Sequence, residues 1–128
     1  MGMAVVKLPY VSNGKDLEVY RLAFAFSMEL HHASLTFPKI EQYSLADQIR
    51  RASKSVCANL VEGFDRQKYS KPEFKRFLMM ASSSAAEVSV WLDYAHELKY
   101  ISDSQHQTWI KTCDQINRML HNLRMKTH

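Results

Sequence analysis

Three times in this chain a serine stands three residues before an acid or an amide, at the head of a run of helically spaced apolar residues. The three are Ser44-Leu45-Ala46-Asp47, Ser70-Lys71-Pro72-Glu73 and Ser102-Asp103-Ser104-Gln105. In such a box the serine oxygen accepts an orphan N–H of the first helical turn and the later side chain reaches back to the cap. Pro72 fits there, because its missing N–H would have no partner in a first turn. A further helix, near Leu17 to Ser34, opens after Asn13-Gly14-Lys15-Asp16 and closes before Phe37-Pro38. The stripes agree with the caps. The first helix carries Val19, Phe26, Leu30 and Ala33, and the second Leu45, Ile49, Ala52, Val56, Leu60 and Gly63. The third carries Phe74, Leu78, Ala81, Ala85, Val88, Leu92 and Ala95, and the fourth Trp109, Cys113, Ile116, Leu120 and Leu123. Steps of four and three are the seam of nearly parallel or antiparallel helices. Connections of about four to ten residues make sequential helices antiparallel neighbours. The expected fold is all-α, an antiparallel up-down-up-down four-helix bundle over residues 16–126. Residues 1–15 show no period and are read as an N-terminal arm or a disordered lead.

Composition is consistent with long helices. Three Gly and three Pro in 128 residues are too few to punctuate many short strands. A single domain of this length buries roughly two-thirds of the surface its unfolded chain exposes, and with 46% apolar residues it needs no staple. Cys57 and Cys113 lie in apolar helical stretches without a CxxC or a histidine cluster, as packed free thiols do in a reducing compartment. No apolar run approaches the ~20 residues of a membrane span. The opening Met1-Gly2-Met3-Ala4-Val5-Val6 lacks a signal peptide's apolar region, and Val6 spoils a myristoylation match. The expected compartment is the cytoplasm, without membrane attachment.

The first helix has one apolar row too many. Leu17, Tyr20, Phe24 and Met28 recur at steps of three and four, roughly opposite Phe26 at about 100° per residue. The third helix adds Met80, Trp91 and Tyr94 on one flank of its stripe. A contiguous aromatic row usually means an interface, so these residues predict a homo-oligomer; cover by the arm or a bent loop is the alternative. Arg51, Ser55 and Glu62, with Asn59 at the edge, form a polar row on the second helix, and Glu87 sits beside Met80, Trp91 and Tyr94. They read either as solvated surface or as polar pairing that fixes the register of a subunit interface.

The pattern nearest to enzyme chemistry is carboxylate-x-x-His, at Glu29/His32, Asp93/His96 and Asp103/His106. Di-iron bundles project two Glu-x-x-His pairs and two further Glu into their core. Here the pairs lie beside the apolar stripes or before them, and two use Asp, which argues against a metal centre. GxGxxG, P-loop, GxSxG and HExxH are absent. The run Ser82-Ser83-Ser84 suits close helix approach better than nucleophilic catalysis. No cofactor, metal or catalytic residue is expected.

Charge points to an anionic partner. Formal net charge is +4, and residues 65–128 hold ten Lys/Arg against seven Asp/Glu. Arg50, Arg51 and Lys54 share one side of the second helix, and Arg66, Lys68, Lys71, Lys75 and Arg76 crowd the next loop and helix start, with Phe64 and Tyr69 interleaved. Several cations within reach of one backbone hold phosphates, and aromatics stack on unpaired bases. Cations at a helix start oppose the helix dipole unless a ligand or acid offsets them. Arg50, Lys54, Arg66, Lys68, Lys71, Lys75 and Arg76 are therefore the candidate nucleic-acid contacts, a solvated charged loop being the plainer reading.

As an ordered series, Ile49-Arg50-Arg51-Ala52, Ser55, Asn59, Glu62-Gly63, Glu73-Phe74-Lys75-Arg76-Phe77-Leu78, Ala81 and Glu87 form a recognisable set. With Asp16-Leu17-Glu18-Val19-Tyr20 before and Leu98-Lys99-Tyr100-Ile101 after, it resembles the four-helix-bundle proteins encoded by 23S ribosomal RNA intervening sequences. The resemblance spans about residues 16–124. It implies a bundle assembling as a homopentamer, with Arg51, Asn59, Glu62, Gly63, Phe74 and Glu87 as signature residues of an interface or structural role. Similar bundles are accessory proteins of diversity-generating retroelements, which implies binding to nucleic acid (RNA or DNA) and to a reverse transcriptase. The chain has Ser83, Ser89 and Lys99 where the family pattern has Gly, Glu and Gly. Two functions follow as expectations: a non-enzymatic oligomeric module for RNA, or a protein–protein scaffold that recruits a partner through its aromatic faces.

Overall fold

The computed structural model describes residues 13–128. Four helices follow in order, α1 (Glu18–Ser34), α2 (Leu45–Arg66), α3 (Lys71–Glu97) and α4 (Asp103–Lys126). Short 3-10 turns occupy Gly14–Asp16 and Lys39–Glu41. Of the expected arm, residues 1–12 lie outside the described residues. Asn13 caps the first 3-10 turn, accepting from Lys15 N at 2.7 Å while Asp16 accepts from Asn13 N at 3.1 Å.

The three serine boxes behave differently. Ser102 forms the complete box with Gln105, at 3.0 and 2.8 Å. Ser70 accepts from Glu73 N at 3.2 Å, but the Glu73 carboxylate turns forward to Arg76. At Ser44 the box does not form. The turn ahead of α2 brings Glu41 close, and the Ser44 hydroxyl donates to Glu41 Oε1 at 2.7 Å instead.

Contacts along each helix pair fix direction. Lys54 meets His31 near the end of α1, whereas a Cβ on Gly14, just before α1, would touch Val61, so α1 and α2 run antiparallel. Ser55 meets Ser84, and Phe64 meets Phe74, which makes α2 and α3 antiparallel. Asp93 meets His106, and Ser82 meets Asn117, which does the same for α3 and α4. The α1–α4 seam is the thinnest, with a cavity of about 250 Å³ where Leu17 and Val19 face Met119 and Leu123.

The core follows the stripes. Every stripe residue of α3 is buried, as are Ile49, Ala52, Val56, Leu60 and Gly63 of α2 and Trp109, Cys113, Ile116 and Leu120 of α4. Each fully buried Leu, Ile or Phe contributes ~1.5–3 kcal/mol over its exposed state. Three details differ from the sequence reading. Leu17, placed on the exposed row, is buried in the core, because the capped turn before it pins the start of α1 onto α2. Ser27 and Ser34 are buried on α1, their hydroxyls donating to Phe24 O and His31 O. Phe77, outside the α3 stripe, is buried as well.

Helix α3 ends with Lys99 at φ 66°. Tyr100 N donates to Ala95 O at 2.8 Å, the closing bond of a Schellman stop, whose left-handed position usually takes glycine. Burial pushes the Cys57 thiol up to about 11 and the Cys113 thiol up to about 12. Both stay protonated and unreactive near neutral pH. Among the described residues, no helix is long and apolar enough to cross a membrane.

Candidate nucleic-acid interface

The antiparallel path gathers the end of α2, the start of α3 and the end of α4 at one end of the bundle. Residues 66–76 at that end carry five Lys/Arg and one acid. The structure divides these cations into two groups. Arg66 donates to Glu62 at 3.0 Å and Arg76 to Glu73 at 3.1 Å. Their guanidinium carbons sit 5.0 and 4.9 Å from the Phe77 ring centroid. Both arginines are thus committed to a carboxylate and an aromatic ring, an arrangement that holds them in place. Arg76 holds the Glu73 carboxyl below its ordinary range, chiefly through their hydrogen bond. Lys68, Lys71 and Lys75 have no ion-pair partner among the described residues. Tyr69 between them is 87% exposed.

Two candidate phosphate contacts on the first half of α2, Arg50 and Lys54, serve the fold instead. Arg50 reaches back to the α1–α2 loop, donating to Ser34 Oγ at 2.8 Å and Gln42 O at 2.6 Å. It is half-buried and not a free phosphate contact. Lys54 donates to His31 Nδ1 at 3.0 Å. Burial first, then the charges of Lys54, Arg50 and His32, lower the His31 pKa, which suits an imidazole that accepts. Arg50 and Lys54 also sit at the opposite end of the bundle from Lys68 and Lys71. One continuous cationic stripe over all seven residues does not exist.

The expected interface residues fall on two faces. Tyr20 and Phe24 stack on α1 at 5.9 Å, with Phe24 and Met28 exposed. Met80, Glu87, Trp91 and Tyr94 line the outside of α3 beside α2. Trp91 Nε1 donates to Glu87 at 3.3 Å, and its ring lies 6.0 Å from Tyr94. A cavity of about 350 Å³ opens where Trp91, Tyr94 and Leu98 of the α3 side meet Leu45 and Gln48 of α2. The polar row is engaged within the subunit. Ser84 donates to Ser55 Oγ at 3.0 Å, Asn59 donates to Ser55 O at 2.9 Å, Arg51 pairs with Asp47, and Glu62 with Arg66.

The histidine–aspartate motifs pair across the α3–α4 hairpin instead of within one helix. His96 Nε2 lies 2.6 Å from Asp103 and His106 Nε2 lies 2.7 Å from Asp93. An ionised carboxylate only accepts, so each Nε2 carries the proton. The two rings stack at 4.2 Å with planes 8° apart. Their Nδ1 atoms therefore lie in separate parallel planes. Among the described residues, no group of three His, Cys, Asp or Glu side chains is placed to hold a metal. Sequence reasoning missed this swap because i,i+3 spacing describes neighbours on one helix only. It missed the Phe77 platform because both arginines come from outside the apolar stripe.

The crystal structure of a protein of unknown function from the S23 ribosomal protein family of Bacteroides thetaiotaomicron is similar in fold. Its TM-score is 0.75 at 22% identity, covering 84% of this chain and 96% of that one. No curated protein matches. The model of the 23S rRNA-intervening sequence protein family matches residues 15–122, and over that span the chain belongs to this family.

Proposed function

We propose that the protein is a non-enzymatic, cytoplasmic, homo-oligomeric module that binds RNA at the basic end of its bundle. The observation that carries this reading is the unpaired trio Lys68, Lys71 and Lys75 around an exposed Tyr69. Lys71 and Lys75 stand in the first turns of α3, where the helix dipole disfavours cations. An arriving phosphate offsets that cost, and the tyrosine offers a face for an unpaired base. The resemblance to accessory bundles of diversity-generating retroelements supports a nucleic acid over other anions, and the family resemblance supports a homopentamer. The parallel imidazoles at the α3–α4 hairpin support a binding role over metal-dependent catalysis.

The test is Lys68→Glu/Lys71→Glu/Lys75→Glu in the full chain, with binding to single-stranded RNA followed across salt. Losing about three phosphate contacts is expected to flatten the slope of log K against log salt by about 2 units, since each contributes ~0.7 on single strands. Unchanged affinity and slope rule this surface out. A second reading rests on the cavity between Trp91, Tyr94 and Leu45: a scaffold that recruits a protein partner through its aromatic face. It is favoured if the triple variant binds RNA as the wild type does while Trp91→Ala abolishes partner capture.

A further inference from the structure

The contacts of the α3–α4 hairpin share one register. Asp93–His106 and His96–Asp103 are separated by three residues on each helix, and Ser82–Asn117 lies eleven further along both. Seven more residues, two helical turns, place Lys75 opposite Arg124. Both positions are cationic, and the nearest carboxylate in sequence, Glu73, is held by Arg76. Residues 74–86 of α3 and 115–126 of α4 contain no Asp or Glu. The Arg124 guanidinium meets His121 Nδ1 at 3.3 Å, and neither Lys75 nor Arg124 has an ion-pair partner among the described residues. Between the helices runs a groove of about 170 Å³ on a floor of Leu78 and Leu120. Ser83, His121 and Arg124 line its rim. Ser82 donates to Asn117, but the exposed Ser83 hydroxyl has no hydrogen-bond partner among the described residues.

Like charges facing each other across a helix seam are destabilising unless something anionic sits between them. A guanidinium, an imidazole and a free hydroxyl around one shallow groove are donors suited to phosphate oxygens. We propose that this α3–α4 groove is a phosphodiester-binding strip, continuous through Lys75 with the α2–α3 loop. Resting on the RNA reading above, it sets the path of the bound strand: from Lys68 and Lys71, past Lys75, along the seam to Arg124. The strand does not cross α2 toward Arg50 and Lys54.

The experiment measures anisotropy of a labelled oligo(U) with the full-length wild type, Arg124→Gln, Arg124→Lys and Lys111→Gln, across salt. Lys111 is an exposed cation on α4 nearer the other end, and its removal controls for net charge. Arg124→Gln is expected to weaken binding about fivefold at 0.1 M salt and to reduce the salt slope by about 0.7. Arg124→Lys retains most of the affinity, and Lys111→Gln changes little. If Arg124→Gln matches Lys111→Gln while the Lys68/Lys71/Lys75 variant loses binding, the groove is overturned and the loop reading survives. If the wild type does not bind oligo(U), both fall. Helical circular dichroism of each variant separates lost contacts from lost fold.

Discussion

Gly63 sits where α2 and α3 come closest. A Cβ there would lie 2.6 Å from Phe77 Cβ, and Phe74 is 3.4 Å away. Phe77 Cβ sits next to its own backbone and cannot swing aside, so the helices themselves must separate. Overpacking of this kind costs ~1–3 kcal/mol, against ~1 kcal/mol gained from helix propensity. Gly63→Ala is expected to lower unfolding free energy by about 1 kcal/mol net, measured by urea denaturation; a gain would show that the contact yields freely. Lys99 is the opposite case. Its left-handed backbone costs an L residue roughly 1–2 kcal/mol, and Lys99→Gly is expected to recover about 0.5–1 kcal/mol of it. A destabilised Lys99→Gly would mean that the lysine side chain contributes a contact outweighing the strain.

At the scale of the helix, the three serine boxes are a comparison built into one chain. Ser102→Ala removes the complete cap of α4 and is expected to cost about 1 kcal/mol. Ser44→Ala removes only an exposed hydrogen bond to Glu41 and is expected to cost a few tenths. Equal losses in thermal unfolding would contradict the caps seen here. The helix ends are also tied to one another. Tyr100, after α3, donates to Glu41, before α2, at 2.9 Å. The Ser44 hydroxyl first, then Tyr100, hold the Glu41 carboxyl below its ordinary range, so this link is present at neutral pH and is lost as acid protonates Glu41.

For the whole molecule, the candidate phosphate-binding cations and the candidate interface aromatics occupy different surfaces. Among the described residues, Lys68, Lys71 and Lys75, which have no ion-pair partner, lie toward the end shared by α2, α3 and α4. The aromatics of the expected interface lie on α1 (Phe24) and on the α3 flank (Trp91 half-buried, Tyr94 exposed). A face of this kind left in water invites association, so light scattering at micromolar concentration is expected to give a single species several times the 14.9 kDa chain. Trp91→Glu is expected to shift it to monomer without loss of helicity. A wild-type monomer with Trp91 quenched freely by iodide would remove the assembly from the proposal.

Helix number, order and core stripes were readable from the sequence because they depend on local rules: a cap is four residues long, and a buried face repeats every three or four. Leu60, Leu78, Leu92 and Ile116 were named as core from spacing alone, and they are buried. What spacing does not encode is how one helix registers against another. The swap of Asp93 to His106, the joining of Arg66 and Arg76 over Phe77 and the withdrawal of Arg50 into the α1–α2 loop all involve partners on different elements. Each side chain's reach exceeds the rise per residue, so a shift of one turn between helices would replace every such pair while leaving the stripes intact. Packing of the whole core selects that register, and with it which cations pair within the fold.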